Sequence, residues 1–261
     1  DGNPDLALGN ALGSNIVNIS LILGVTAIIA PIAVQSNIIK KELPVLLGVV
    51  LFCGYLLYDG NLSSFDAKLL LVGLLLFLVW SVYSGMKSPG DTLEKEFNEE
   101  LKTHAMSIGK AIFWLVAGLT LLIISSRILV WGAVEIASAL GVSDLIIGLT
   151  IVALGTSLPE LAASIIAAKK GEHDIAIGNV VGSNMFNILA VIGIAGIIEP
   201  IPQISTEVFN RDWSVMLALT IMLIVMAYGF GRQGRINRVE GGVLLSIYIA
   251  YNGYLIMDVM G

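Results

Sequence analysis

The chain has 261 residues, 56% hydrophobic and 13% charged, with mean hydropathy +0.89 and a net charge of −6. A soluble domain carries about 25% charged residues, so a water-soluble globular protein is excluded and a lipid bilayer, not a nucleic acid, is the expected partner. Cys53 is the one cysteine, which excludes an intrachain disulfide.

Read in chain order, the apolar runs predict an all-α polytopic membrane protein. Eight spans are expected, at roughly 5–30, 43–58, 68–86, 109–131, 144–169, 173–198, 212–230 and 240–258. Each can reach the ~20 residues needed to cross the hydrocarbon layer. A β-barrel would show segments of about ten residues that alternate apolar and polar side chains, a pattern this sequence does not have. Between the third and fourth spans, 87–108 is a polar connection holding Asp91, Glu94, Lys95, Glu96, Glu99, Glu100 and Lys102, with room for a short surface helix. It divides 1–86, with three spans, from 109–261, with five.

Basic residues set the orientation. Lys40 and Lys41 follow the first span; Lys87, Lys95, Lys102 and Lys110 follow the third. Lys169 and Lys170 follow the fifth, and Arg232, Arg235 and Arg238 the seventh, which puts 11 of the 14 on one side. The exceptions are Lys68, Arg127 and Arg211. The rich side is expected to be cytoplasmic, which places the protein in the plasma membrane with the 87–108 loop inside.

When Gly2–Gly24 is laid over Gly171–Gly193, 11 of 23 residues recur, 169 positions apart, and both copies carry G-N-x-x-G-S-N-x-x-N. One copy lies on the first span and the other on the sixth, five crossings later, so the two run in opposite directions. That is the pattern of an inverted repeat.

Before the second copy stands Gly155-Thr156-Ser157-Leu158-Pro159-Glu160. Pro159 removes a helical hydrogen bond, and the break is expected to free carbonyl oxygens such as that of Ala153, tolerated at membrane depth only beside a cavity or ligand. Glu160 at mid-membrane costs about 2.5–3.5 kcal/mol and needs a partner, yet the motif holds no basic residue. A bound cation fills that role. Ser183 and Asn187, four apart, share a helix face and are expected beside the carboxylate. Oxygen ligands of this kind suit calcium or sodium rather than zinc or copper.

A plainer reading uses the same residues. Gly9/Gly13 and Gly178/Gly182 are small-xxx-small pairs, and buried Asn and Ser often link helices for about 0.6 kcal/mol each. They would then belong to a non-transporting packing module. Asp5 and Asp174 sit where the helix dipole favours a negative charge. Arg127 and Glu135 are expected at the outer interface, and His104 and His173 are assigned no role.

The strings G-T-S-L-P-E (155–160), G-N-V-V-G-S-N-M-F-N (178–187) and G-N-A-L-G-S-N-I-V-N (9–18) resemble the signature repeat of the calcium/cation antiporter superfamily, most nearly its prokaryotic sodium/calcium exchangers. The resemblance covers nearly the whole chain. It implies ten helices in two inverted halves of five, of which the eight spans here are the third to tenth. The chain is accordingly expected to be truncated at its N-terminus, with a second G-T-S-x-P-E helix before Asp1. Carried over by position, Glu160 is a shared calcium and sodium ligand. Thr156, Ser157 and the Ala153 carbonyl complete this half, with Ser183 and Asn187 from the next helix and Ser14 and Asn18 from the other copy. The helix at about 109–140 is implied to be a sliding gate. Asn at both 18 and 187, where potassium-moving members tend to carry one Asp, argues against potassium dependence. No cofactor is implied. Calcium–sodium antiport is the expected activity, with proton-driven calcium antiport as its alternative.

Overall fold

The computed structural model describes residues 4–87, 89–103, 107–142, 144–229 and 234–260, so His104, Arg232 and Asp1 lie outside the described residues. Helix α1 begins as Pro4–Val17, widens into a π-turn over Asn18–Ile22 and ends as Leu23–Ile29. A short strand β1 (Ile32–Ala33) precedes α2 (Asn37–Leu57) and α3 (Ser64–Met86). The polar connection folds as α4 (Thr92–Thr103), the surface helix its composition allowed, and α5 covers Ile108–Ala139. Helix α6 runs through Asp144–Ile147, a π-turn Gly148–Val152 and Ala153–Thr156; α7 is Leu158–Lys170. Helix α8 joins His173–Phe186, a π-turn Asn187–Ile192 and Gly193–Ile198. Helix α9 enters through a π-turn Val208–Trp213 and continues as Ser214–Tyr228; β2 (Arg235–Ile236) and α10 (Arg238–Met260) follow.

By length and composition, six of the described helices can cross a membrane, or seven if the bent pair α6–α7 counts as one span. The second expected span, on α2, falls outside that number because Lys40, Lys41 and Glu42 occupy its first turns. Its helix starts at Asn37, six residues before the expected 43, and Pro44 sits inside it. Pro44 does not interrupt the helix. Pro44 orphans the Lys40 carbonyl, and the Tyr228 hydroxyl donates to that oxygen at 2.6 Å.

Helix α1 is the axis. Every residue from Ala11 to Ser20 is buried, and the core gathers around it from Leu12, Ile16, Ile19, Ile188, Met216 and Leu223. Helix α5 is the opposite case: it extends to Ala139, eight residues beyond the expected 131, and none of the described residues in its most apolar stretch is buried. Phe113, Trp114, Leu115 and Leu121 stand outward, as lipid-facing side chains do.

The connections sort to two ends. At one, β1 pairs antiparallel with β2 through Ile32 and Ile236. There Asp174 accepts from the Gln35 and Ser36 amides, both at 3.0 Å, and Asp91 accepts from the Ser36 hydroxyl (2.5 Å) and the Asn37 amide (2.9 Å). Asp174 therefore reaches across to the chain after α1, and Glu96 of α4 caps α8 instead, accepting from the Ile175 amide at 2.9 Å. Burial pushes the Glu96 carboxyl above its ordinary value, against the lowering pull of those amides. At the other end the chain after α2 meets the chain after α8, with the Leu62 amide donating to Ile201 at 2.8 Å.

Candidate cation site

Ser157 breaks the helical run. Its φ of −94° and ψ of 1° end α6, Pro159 opens α7 where a missing N–H costs least, and the axis turns by 49°. Glu160 thereby falls in the first turn of α7, close to the positive end of the helix dipole. The carbonyl that Pro159 orphans is Gly155's, four residues back. The Ser126 hydroxyl of α5 donates to it at 2.6 Å. The expectation that the break frees Ala153 is thus corrected: the Ala153 oxygen accepts from the Ser157 amide at 3.2 Å.

Around the break the polar side chains form two groups. Glu160 Oε1 accepts from the Ser183 hydroxyl at 3.4 Å, while Oε2 is buried with no hydrogen-bond donor. Asn179 donates to the Glu160 carbonyl at 3.4 Å and to Ser164 at 3.2 Å. Nearby, Thr156 and Ser14 hydroxyls lie 3.3 Å apart, and both donate to Asn10 Oδ1, at 3.0 and 3.4 Å. The structure thus joins Glu160 to Ser183 and Thr156 to Ser14. Ser157 is buried beside them.

The second group bridges the two copies of the repeat. Asn18 Nδ2 donates to Asn184 Oδ1 at 2.9 Å, and Asn187 Nδ2 donates to Asn15 Oδ1 at 3.0 Å. Asn15 and Asn184 are repeat equivalents, as are Asn18 and Asn187, so one bond becomes the other when the copies are exchanged. Both copies also widen into a π-turn that starts at the same asparagine, Asn18 or Asn187. Asn187 was expected to turn its amide oxygen toward Glu160; its amide nitrogen is the atom bonded to Asn15. Asn18 Oδ1 is buried and, like Glu160 Oε2, meets no donor. Two buried oxygens that lack donors are electron-rich points suited to a hard cation. Among the described residues there is no group of three or more His, Cys, Asp or Glu placed to hold a metal, so a cation here would rely on hydroxyl, amide and carbonyl oxygens around the carboxylate.

The family model described as sodium/calcium exchanger protein matches residues 1–83 and 110–257. The chain belongs to that family. The antiporter CaxA of Alkalimonas amylolytica is 52% identical over 259 residues, covering 98% of this chain and 80% of that protein. The sodium/calcium exchanger MaX1 of Methanosarcina acetivorans is 29% identical over 282 residues, covering 94% and 79%. A solved structure of the sodium-calcium exchanger NCX_Mj superposes with TM-score 0.71 at 32% identity, covering 95% of this chain and 75% of that one. The protein is an integral membrane cation antiporter and not an enzyme.

Several residues of the candidate site escaped the sequence reading. Asn15 and Asn184 were visible as repeat matches, which was the available signal. Asn10 lies inside the repeated string, but nothing local says that Thr156, 146 residues away, bonds to it. Ser126 carried no signal. Arg211, an exception to the charge pattern, is paired with buried Asp212 at 2.7 Å, and Tyr251 donates to the same carboxylate at 2.9 Å. The glycines divide. A Cβ at Gly13 would lie 2.5 Å from the Leu149 carbonyl, so close packing explains that residue, whereas one at Gly182 would meet nothing within 4 Å.

Proposed function

We propose that this protein exchanges calcium for sodium across the plasma membrane by alternating access, with the ions bound at mid-membrane around Glu160. The observation that carries this reading is Glu160 Oε2, a buried carboxylate oxygen without a donor. A cation supplies the missing partner. Thr156, Ser157, Ser183, Ser14, Asn18 and Asn187 are the proposed side-chain ligands, with the second lone pair of the Ala153 carbonyl. Both ions are hard cations that take oxygen ligands, so they compete for one set of atoms.

Competition at a buried carboxylate also explains coupling. Closing the site around an ion-free, charged Glu160 strands an anion at membrane depth, at a cost of about 2.5–3.5 kcal/mol. Closing it around sodium or calcium avoids that cost, so the loaded forms cross and the empty form does not.

The reading includes two inverted repeats, 1–86 and 109–261, with eight spans and the 87–108 connection in the cytoplasm. The exchanged Asn18–Asn184 and Asn187–Asn15 bonds support it. So does the gathering at one end of the connections after the first, third, fifth and seventh spans. Helix α5, lipid-facing and bonded to the break through Ser126, is proposed as the sliding element.

The test is calcium uptake into proteoliposomes holding the intact gene product, driven by a sodium gradient. Glu160→Gln is expected to abolish it; retained uptake would remove Glu160 from the site. Replacing the sodium gradient with a pH gradient separates proton-driven antiport, which predicts uptake without sodium. A packing module predicts that Ser183→Ala leaves calorimetric calcium binding unchanged.

A further inference from the structure

A second polar cavity lies away from the cation site, where the start of α2 and the ends of α3 and α9 meet. It has a volume of about 800 Å³, and its wall includes Lys40, Lys41, Lys87, Asp91, Trp80 and Tyr228. Three lysines, two near the start of α2 and one just past the end of α3, therefore line one space.

Helix stability does not account for them. Lys40 and Lys41 stand near the N-terminus of α2, where the dipole disfavours cations. The orientation rule asks only that basic residues lie on one side of the membrane; it does not ask that they converge on a cavity. Asp91, the acidic wall residue, offsets one of the three lysine charges and leaves the wall positive. Its oxygens are occupied by the Ser36 hydroxyl at 2.5 Å, the Asn37 amide at 2.9 Å and the Leu93 amide at 3.2 Å.

The cavity also has a membrane-directed gradient. Trp80 precedes Lys87 by seven residues on α3, which sets it about 10 Å deeper along the helix axis. Lysines above and tryptophan below match the order of headgroup and acyl boundary in a bilayer leaflet. Tyr228 fixes the third wall, because its hydroxyl ties the end of α9 to the Lys40 carbonyl at 2.6 Å. Lys87 lies 4.5 Å over the Tyr83 ring, which holds its stem at the rim.

We propose that this cavity binds the phosphate headgroup of an anionic phospholipid, with Lys40, Lys41 and Lys87 around the phosphate and Trp80 against the start of an acyl chain. Basic pockets between helices on the cytoplasmic side are suited to such headgroups. The site is separate from ion exchange and does not depend on the transport reading.

Native mass spectrometry of the purified full chain tests it, with phosphatidylglycerol, phosphatidylcholine or inorganic phosphate as the probe. Phosphatidylglycerol is expected to bind more tightly than phosphatidylcholine. The triple variant Lys40→Gln/Lys41→Gln/Lys87→Gln is expected to weaken its binding about a hundredfold, at about fivefold per lysine. Lys95→Gln/Lys102→Gln/Lys110→Gln should leave it unchanged. Should the triple variant fail to fold, Lys87→Gln alone, at an exposed helix end, still reads the fivefold change. Equal phosphatidylglycerol affinity in parent and pocket variant overturns the proposal, as does equal retention of phosphatidylcholine. Inorganic phosphate binding as tightly as the lipid overturns it in favour of a soluble anion.

Discussion

Pro159 orphans the Gly155 carbonyl, and Ser126 answers it from another helix at 2.6 Å. Pro44 and Tyr228 repeat the arrangement at the Lys40 carbonyl. In hydrocarbon no water can take the place of the Ser126 hydroxyl. Ser126→Ala should therefore destabilise the protein by about 0.6–1.7 kcal/mol, the range measured for hydrogen bonds between membrane helices. That corresponds to a fall in thermal midpoint of roughly 1–7 °C for a chain of this size. Ser125→Ala, which loses a hydroxyl bonded within its own helix to Leu121, should change it less. Replacing Pro159 with Ala restores the helical donor, so the Ser126→Ala penalty should shrink in the double variant; additive penalties would refute the link. Proline and glutamate could be read from the sequence because their chemistry is local: a missing N–H and a charge at membrane depth. Ser126 could not, because its partner is 29 residues away on another helix.

At the scale of elements, the repeat equates Gly13 with Gly182, and packing separates them. Helix α1 crosses α6 backbone on backbone: a Cβ at Gly13 would lie 2.5 Å from Leu149 O and 2.7 Å from its Cα, and one at Gly148 would lie 2.7 Å from Leu6 O. Gly182 faces open space. Gly13→Ala is expected to cost about 1–3 kcal/mol, as overpacking does, and to lower the thermal midpoint, while Gly182→Ala should leave it nearly unchanged. Equal effects would mean that the two copies pack alike. Hydropathy placed most helices well, because a span is a composition statement. It misplaced the start of α2 and the end of α5, where a tyrosine hydroxyl rescues a proline and where lipid, not protein, faces the helix. Repetition identified which residues correspond, but each copy's neighbours come from different elements and are set by tertiary packing.

Across the whole molecule, the connections after α1, α3, α7 and α9 meet at one end, and those after α2 and α8 at the other. Cys53 is buried, so the native thiol should stay silent toward a membrane-impermeant maleimide. An Asp59→Cys variant should then label in right-side-out vesicles, and Asn98→Cys only after permeabilisation; both side chains are exposed. The reverse pattern would invert the assigned orientation. The contrast between a buried α1 and an uncovered α5 has a mechanical consequence. Lipid tails are as apolar as Leu, so no hydrophobic force resists one helix moving past another in a bilayer. Displacing α5 along α6 exchanges one hydrocarbon neighbour for another. The resistance then comes from the Ser126–Gly155 hydrogen bond and from Val130, whose Cγ2 nests where a Gly155 Cβ would stand, 2.2 Å away. A helix held by so small a catch would follow the thickness of the bilayer it lies in.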